Sequence, residues 1–176
     1  MLKYIVTDIQ NVLKFYPLGI GTGVVLFLFL AFRKRYLEKN GKETKRILPS
    51  CFFFGYYMII LTITLFSREA GGGKRIDLEL FSTLRINTRN TAYVIENILF
   101  FIPFGIFGRW ADLSMDSGIR KILRILFWGF VTSLEIEVLQ LLTGRGCFQV
   151  DDIWTNTLGA LLGALLGSIY VKKNDL

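Results

Sequence analysis

Five apolar runs dominate this chain, at roughly residues 16–32, 47–66, 94–110, 121–142 and 153–171. Each is about as long as a helix must be to cross a hydrocarbon core of roughly 30 Å. Lipid offers no hydrogen bonds, so a spanning segment must satisfy its own backbone, and runs of this length do so as helices. The expected fold is therefore all-α: a polytopic helical membrane protein with about five transmembrane helices, forming a single domain over residues 1–176. A chain that is 52% hydrophobic and 15% aromatic agrees, since a soluble domain of this length seldom runs so apolar.

Ahead of the first run, residues 4–16 place Ile5, Ile9, Val12, Leu13 and Tyr16 on one face, with Asp8, Gln10, Asn11 and Lys14 interrupting the apolar character. A signal peptide needs an unbroken apolar stretch. This segment reads instead as a short N-terminal amphipathic helix at the membrane interface. The formal net charge is +7, but the Lys and Arg residues mostly flank apolar runs, where they set topology and meet lipid headgroups rather than nucleic acid. The loop 33–46, the link 109–124 and the tail 172–176 hold most of the 21 basic residues, which assigns that side to the cytoplasm. The N-terminus is then outside and the C-terminus cytoplasmic.

There is no histidine, which removes His-ligated zinc, Ser-His-Asp triads and His-based phosphatase chemistry. Cys51 and Cys147 fall on opposite membrane sides in this topology, so no structural disulfide is expected. No metal or cofactor is expected in the leading reading.

The same topology gathers polar residues at one membrane level. Arg68 follows span two, Glu96 and Asn97 open span three, Glu137 and Gln140 lie in the last third of span four, Arg145 is in the turn, and Asp152 and Asn156 open span five. Ser133, Glu137 and Gln140 fall at i, i+4 and i+7 and so share a helix face; Asp152, Asn156, Gly159 and Gly163 share another, and Asn97, Phe101, Gly105 and Gly108 a third. The small residues Gly105, Gly108, Gly159, Gly163 and Gly167 read as helix-packing positions. The polar ends read as the lining of a cavity open to the outside. An acid at the bilayer centre costs roughly 2.5–3.5 kcal/mol on insertion scales, so Glu137 implies water, a cation or a partner, with Arg68 and Arg145 as the natural partners. Glu135 lies about 200° round the helix from Glu137 and has no evident partner. Pro103 should kink span three.

Three blocks are familiar: N-I-L-F-F-I-P-F-G from Asn97, S-L-x-I-E-V-L-Q from Ser133 followed by G-R, and D-D-I-x-x-N-T-L-G-A-L-L-G from Asp151. Their order and spacing over residues 67–170 resemble the VanZ-like family of small bacterial membrane proteins. Its founding type is associated with resistance to teicoplanin, a glycopeptide that binds cell-wall precursor. Carried over by position, the polar motif of the family falls on Asn97, Glu137, Gln140, Arg145, Asp152 and Asn156. Two departures stand out: Gln149 where many relatives have an acid, and Leu80-Phe81 where many have Pro before the Phe.

The resemblance places the chain in the bacterial cell membrane as a contributor to glycopeptide resistance. Arg68, Asn97, Glu137, Gln140, Arg145, Asp152 and Asn156 would bind an outer-leaflet envelope lipid, a lipid-linked wall or teichoic-acid precursor, or a lipoglycopeptide, with the arginines meeting phosphate and the acids and amides meeting sugar or peptide. Membrane lipids and a second copy of the chain are the other expected partners. The alternative is an intramembrane enzyme acting on an envelope lipid, with Glu137 or Asp152 as general base and a divalent cation held by Asp151, Asp152 and Glu137. A small transporter subunit ranks third, since no inverted repeat is visible.

Overall fold

Each apolar run lies inside a longer helix, because the polar turns at its ends continue the helical hydrogen bonding. A computed structural model describes residues 6, 10, 13–14, 16–37, 44–66, 75–81, 88–112, 114 and 118–174. Its long helices are α1 (Tyr16–Leu37), α2 (Thr44–Phe66), α3 (Thr88–Ala111), α4 (Gly118–Thr143) and α5 (Val150–Asn174). Asn90–Ala111, Gly118–Thr143 and Val150–Tyr170 are long and apolar enough to cross a membrane, and Tyr16–Ala31 and Pro49–Leu65 are shorter apolar helices. The chain is an all-α helical membrane protein. The amphipathic segment expected over 4–16 lies largely outside the described residues.

One element has no counterpart in the sequence reading. Arg75–Asp77 (β1) pairs in parallel with Cys147–Gln149 (β2), in the register Arg75–Cys147, Ile76–Phe148, Asp77–Gln149. These strands are three residues each, too short to show a period of two in sequence. They sit at the end of the bundle where α4 stops and α5 starts.

The tightest helix pair is α3 on α5, and glycine makes it possible. A Cβ on Gly105 would run into Ala160 O, one on Gly159 into Ile98 O, and one on Gly163 into Ile102 O. Backbone meets backbone there without a side chain between, as small-residue stripes allow in membranes. Gly129 of α4 extends the seam, since its Cβ would stand 2.6 Å from the Ala160 Cβ. Gly108 faces Ile125 and Phe53 at 3.1 and 3.2 Å, and Gly167 faces the Arg109 side chain at 3.0 Å.

A core of Tyr56, Ile59, Ile60, Ile63, Phe101, Phe104, Ile136 and Ala160 fills the space between α2 and the α3–α4–α5 unit. Phe101 and Phe104, each 1% exposed, therefore meet neighbouring helices rather than lipid. α3 runs through Pro103. Proline cannot donate to the carbonyl four residues earlier, and on the next residue the Tyr56 hydroxyl donates to Phe100 O at 2.8 Å.

Across the bundle from β1 and β2, Arg124 Nη1 donates to both Asp112 carboxylate oxygens at 2.8 and 2.7 Å and to Ser114 Oγ at 2.7 Å. Burial pushes the Asp112 carboxyl up, but the Ser114 hydrogen bonds and the Arg124 charge outweigh it and hold the group below its ordinary value. Arg109 Nε donates to Ser168 Oγ at 2.9 Å, joining α3 to α5 at the same end. Cys51, buried in the first half of α2, and Cys147, in β2, are both free thiols.

Candidate functional site

The end of α4 is built by a glycine. Gly144 adopts a φ of 65°, in the left-handed region. Gly144 N then donates to Leu141 O at 3.3 Å and Arg145 N to Gln140 O at 3.0 Å. This paired arrangement is the Schellman motif, which closes a helix and satisfies its last carbonyls. It also folds Arg145 back beside Gln140.

Both side chains then reach the C-terminal carbonyls of α2. Gln140 Nε2 donates to Thr64 O at 3.1 Å, and Arg145 Nη1 donates to Leu65 O at 3.3 Å. The last carbonyls of a helix lack intrahelical donors and carry partial negative charge, so an amide and a guanidinium complete them. Gln140 is 1% exposed, which makes this a buried cap.

One turn back on the same face, Glu137 is 2% exposed, and its Oε2 accepts the backbone N–H of Gln149 at 2.8 Å. The carboxylate thereby holds the last residue of β2 and the entry to α5. At position 149 the chain thus uses the backbone, whatever side chain stands there. Asp151, 6% exposed, does similar work on the other loop: its Oδ1 accepts Phe81 N at 2.6 Å. Phe81 has a φ of 64°, which is strained for a residue with a Cβ and must be held by its surroundings. Asp77 Oδ1 accepts Glu79 N at 3.0 Å and forms the preceding turn.

The third part of the site joins α3, α4 and α5. Asn97 Nδ2 donates to Asp152 Oδ1 at 2.9 Å and to Thr155 Oγ1 at 3.4 Å. Asn156 Nδ2 donates to Ser133 Oγ at 2.8 Å, and Ser133 Oγ reaches Asp152 O at 3.4 Å. Ser133, Asp152 and Asn156 are 0, 6 and 5% exposed. α5 begins at Val150, so Asp152 lies inside its first turn rather than at the cap, where the helix dipole still favours its charge.

The structure therefore brings Asn97, Glu137, Gln140, Arg145, Asp152 and Asn156 to one end of the bundle, each on a named partner; Arg68 lies outside the described residues. Glu137 and Asp152, the candidate bases, each accept a hydrogen bond from the protein. Glu96 is also enclosed there, 8% exposed. Among the described residues, no three His, Cys, Asp or Glu side chains come together to hold a metal ion. Sequence reasoning missed the anchoring of Phe81 by Asp151, because its partner is a backbone N–H. It also found no partner for Glu135, whose Oε2 accepts the Tyr57 hydroxyl at 2.7 Å from across the bundle.

Cys147 marks this end chemically. Burial pushes its thiol above the ordinary range, and the carboxylates of Asp77, Glu137 and Asp152 add to the effect while Arg75 opposes it.

The region that carries these contacts is also the region that comparison with known proteins picks out. A model of the VanZ/LLP1 family matches residues 52–171. The chain belongs to the VanZ/LLP1 family. The match begins in α2, so the helix capped by Gln140 and Arg145 is part of the family unit. Protein VanZ of Enterococcus faecium is a relative, 32% identical over 87 residues, which is 48% of this chain and 50% of that protein. The chain thus spans about half the length of the curated relative it matches. No solved structure matches the chain closely enough to count as a relative.

Proposed function

We propose that this VanZ/LLP1-family membrane protein acts in the bacterial cell envelope, where its polar end binds an outer-leaflet amphiphile and thereby contributes to resistance against teicoplanin-type glycopeptides. The ligand class is a lipid-linked wall or teichoic-acid precursor, an envelope lipid, or the lipoglycopeptide itself. The observation that carries this reading is the convergence of Asn97, Glu137, Gln140, Arg145, Asp152 and Asn156 on one bundle end, under two short strands. A helix bundle can be closed by apolar side chains alone. Ionisable residues inside a membrane protein mark function by default. Arg145 suits phosphate, and the carboxylates and amides suit the hydroxyl and amide groups of sugar or peptide.

In this reading the polar end faces outward, the N-terminus is outside, and all five helices cross. Expression in a susceptible host should raise the inhibitory concentration of teicoplanin. Arg145→Ala and Glu137→Gln, at matched membrane abundance, should lose that protection. Equal susceptibility with and without the wild-type chain would sink the resistance role. Full protection by both variants would remove the polar end from it.

A further inference from the structure

A groove of about 480 Å³ lies between α2 and α4, with α3 as its floor. That volume falls within the range of small-molecule sites, roughly 300–1,000 Å³. Phe53 and Phe104 form its depth, while Phe54 and Trp128, each about half exposed, stand at its rim. It therefore opens sideways along α4, a helix long and apolar enough to cross a membrane.

Three charged side chains line it: Asp112, Arg124 and Glu135. Asp112 and Arg124 form an ion pair at one mouth and neutralise each other. Glu135 stands eleven residues further along α4, about 16 Å away at the helical rise. Among the described residues its partner is the Tyr57 hydroxyl, a neutral donor, and no cation pairs with it. The wall thus carries one exposed carboxyl that, among the described residues, has no counterion, in a groove also lined by Tyr57, Trp128 and three phenylalanines. A carboxyl in that setting takes a cation, and aromatic faces attract one as well. An anionic headgroup or a plain acyl chain would leave Glu135 unmatched.

We infer that this groove is a second ligand site, separate from the polar end, for a lipophilic organic cation: an apolar or aromatic body with an ammonium or phosphonium centre placed against Glu135 and Trp128. The inference does not rest on the role proposed for the polar end: Glu135 shares its level on α4 with Ser133 and Glu137 but stands about 200° round the helix from each, on the opposite face.

The test is equilibrium binding of radiolabelled tetraphenylphosphonium to the full chain in detergent, with tetraphenylmethane as uncharged competitor. Saturable binding should weaken at least about tenfold in Glu135→Gln, and tetraphenylmethane should fail to compete. Val131→Trp, which fills the groove and leaves the carboxyl intact, should also abolish binding, and thermal melts of both variants check folding. Saturable binding that survives Val131→Trp places the ligand elsewhere and overturns the inference. So does equal competition by tetraphenylmethane, which reduces the groove to an apolar cleft filled by lipid. No saturable binding to the wild type overturns it as well.

Discussion

Adding a single methyl group at Gly163 should separate the two most closely packed helices. A Cβ there would meet Ile102 O and lie 2.9 Å from both Gly105 Cα and Ile102 C, whereas ordinary contact begins near 3.4 Å. All three atoms are backbone and cannot rotate away, and the contact with Ile102 O is the shortest, so α3 and α5 must part by about an ångström or more. Overpacking of this kind costs about 1–3 kcal/mol, and a clash with backbone belongs at the upper end. For a chain of this length, about 2–3 kcal/mol lowers the melting temperature by roughly 5–10 °C. The matched control is Gly21→Ala in α1, where nothing lies within 4 Å. Alanine there should be neutral or slightly stabilising, since it is the better helix former by up to about 1 kcal/mol. The assay is thermal unfolding of both variants beside the wild type in one detergent. If Gly163→Ala melts with the wild type, or Gly21→Ala loses as much, close approach of α3 and α5 is not what these glycines provide.

Three further outcomes follow from individual contacts. Glu137→Ala strips the acceptor from Gln149 N–H; it should cost about 1.5–3 kcal/mol and speed hydrogen exchange at that amide, and unchanged protection there would show that the carboxylate does not hold β2. The native Asp112 carboxyl is held below its ordinary value, so its stabilising contribution is complete above the ordinary carboxylate range and fades as pH falls through the lowered native value. Asp112→Asn should flatten that acid limb of an unfolding curve; the limb should also shrink in salt, because Arg124 is 38% exposed, and an unaltered limb contradicts the pairing. The raised thiol of Cys147 means that maleimide labelling of a Cys51→Ser background should accelerate only above the ordinary thiol range. Glu137→Gln should bring that acceleration to lower pH, and an ordinary thiol profile in both proteins removes the burial and charge assigned to this strand.

The helices were legible because lipid leaves the backbone no other choice, and their apolar lengths fixed them to within a few turns. The inward faces were legible too: Ser133, Glu137 and Gln140 share the predicted face of α4, and all three are buried. What the spacing could not supply was the partner of each side chain. Arg145 was read as a counterion; that its turn also delivers it to Leu65 O could not be read, because it depends on a glycine-closed helix end that points the next residue back over its own last turn. Glu137 was read against arginines; the backbone N–H it also accepts belongs to a strand three residues long, which leaves no periodic trace. Tyr57 and Glu135 lie 78 positions apart, and their contact depends on how α2 and α4 are rotated about their axes. A hydropathy pattern of α2, apolar nearly all round, does not encode that rotation.

The small parallel pair of β1 and β2 has a consequence for how the chain is made. Parallel strands need a crossover between them, and here the crossover is α3 followed by α4. β1 leaves the ribosome long before Cys147–Gln149 exists, and its backbone edge has no partner until two more helices have entered the membrane. The junction that joins the two loops therefore cannot form until α4 is complete. A chain halted after α4 would have four of its five long helices and lack the clasp, so the pairing reports that the chain has passed α4 rather than that its first helices have inserted.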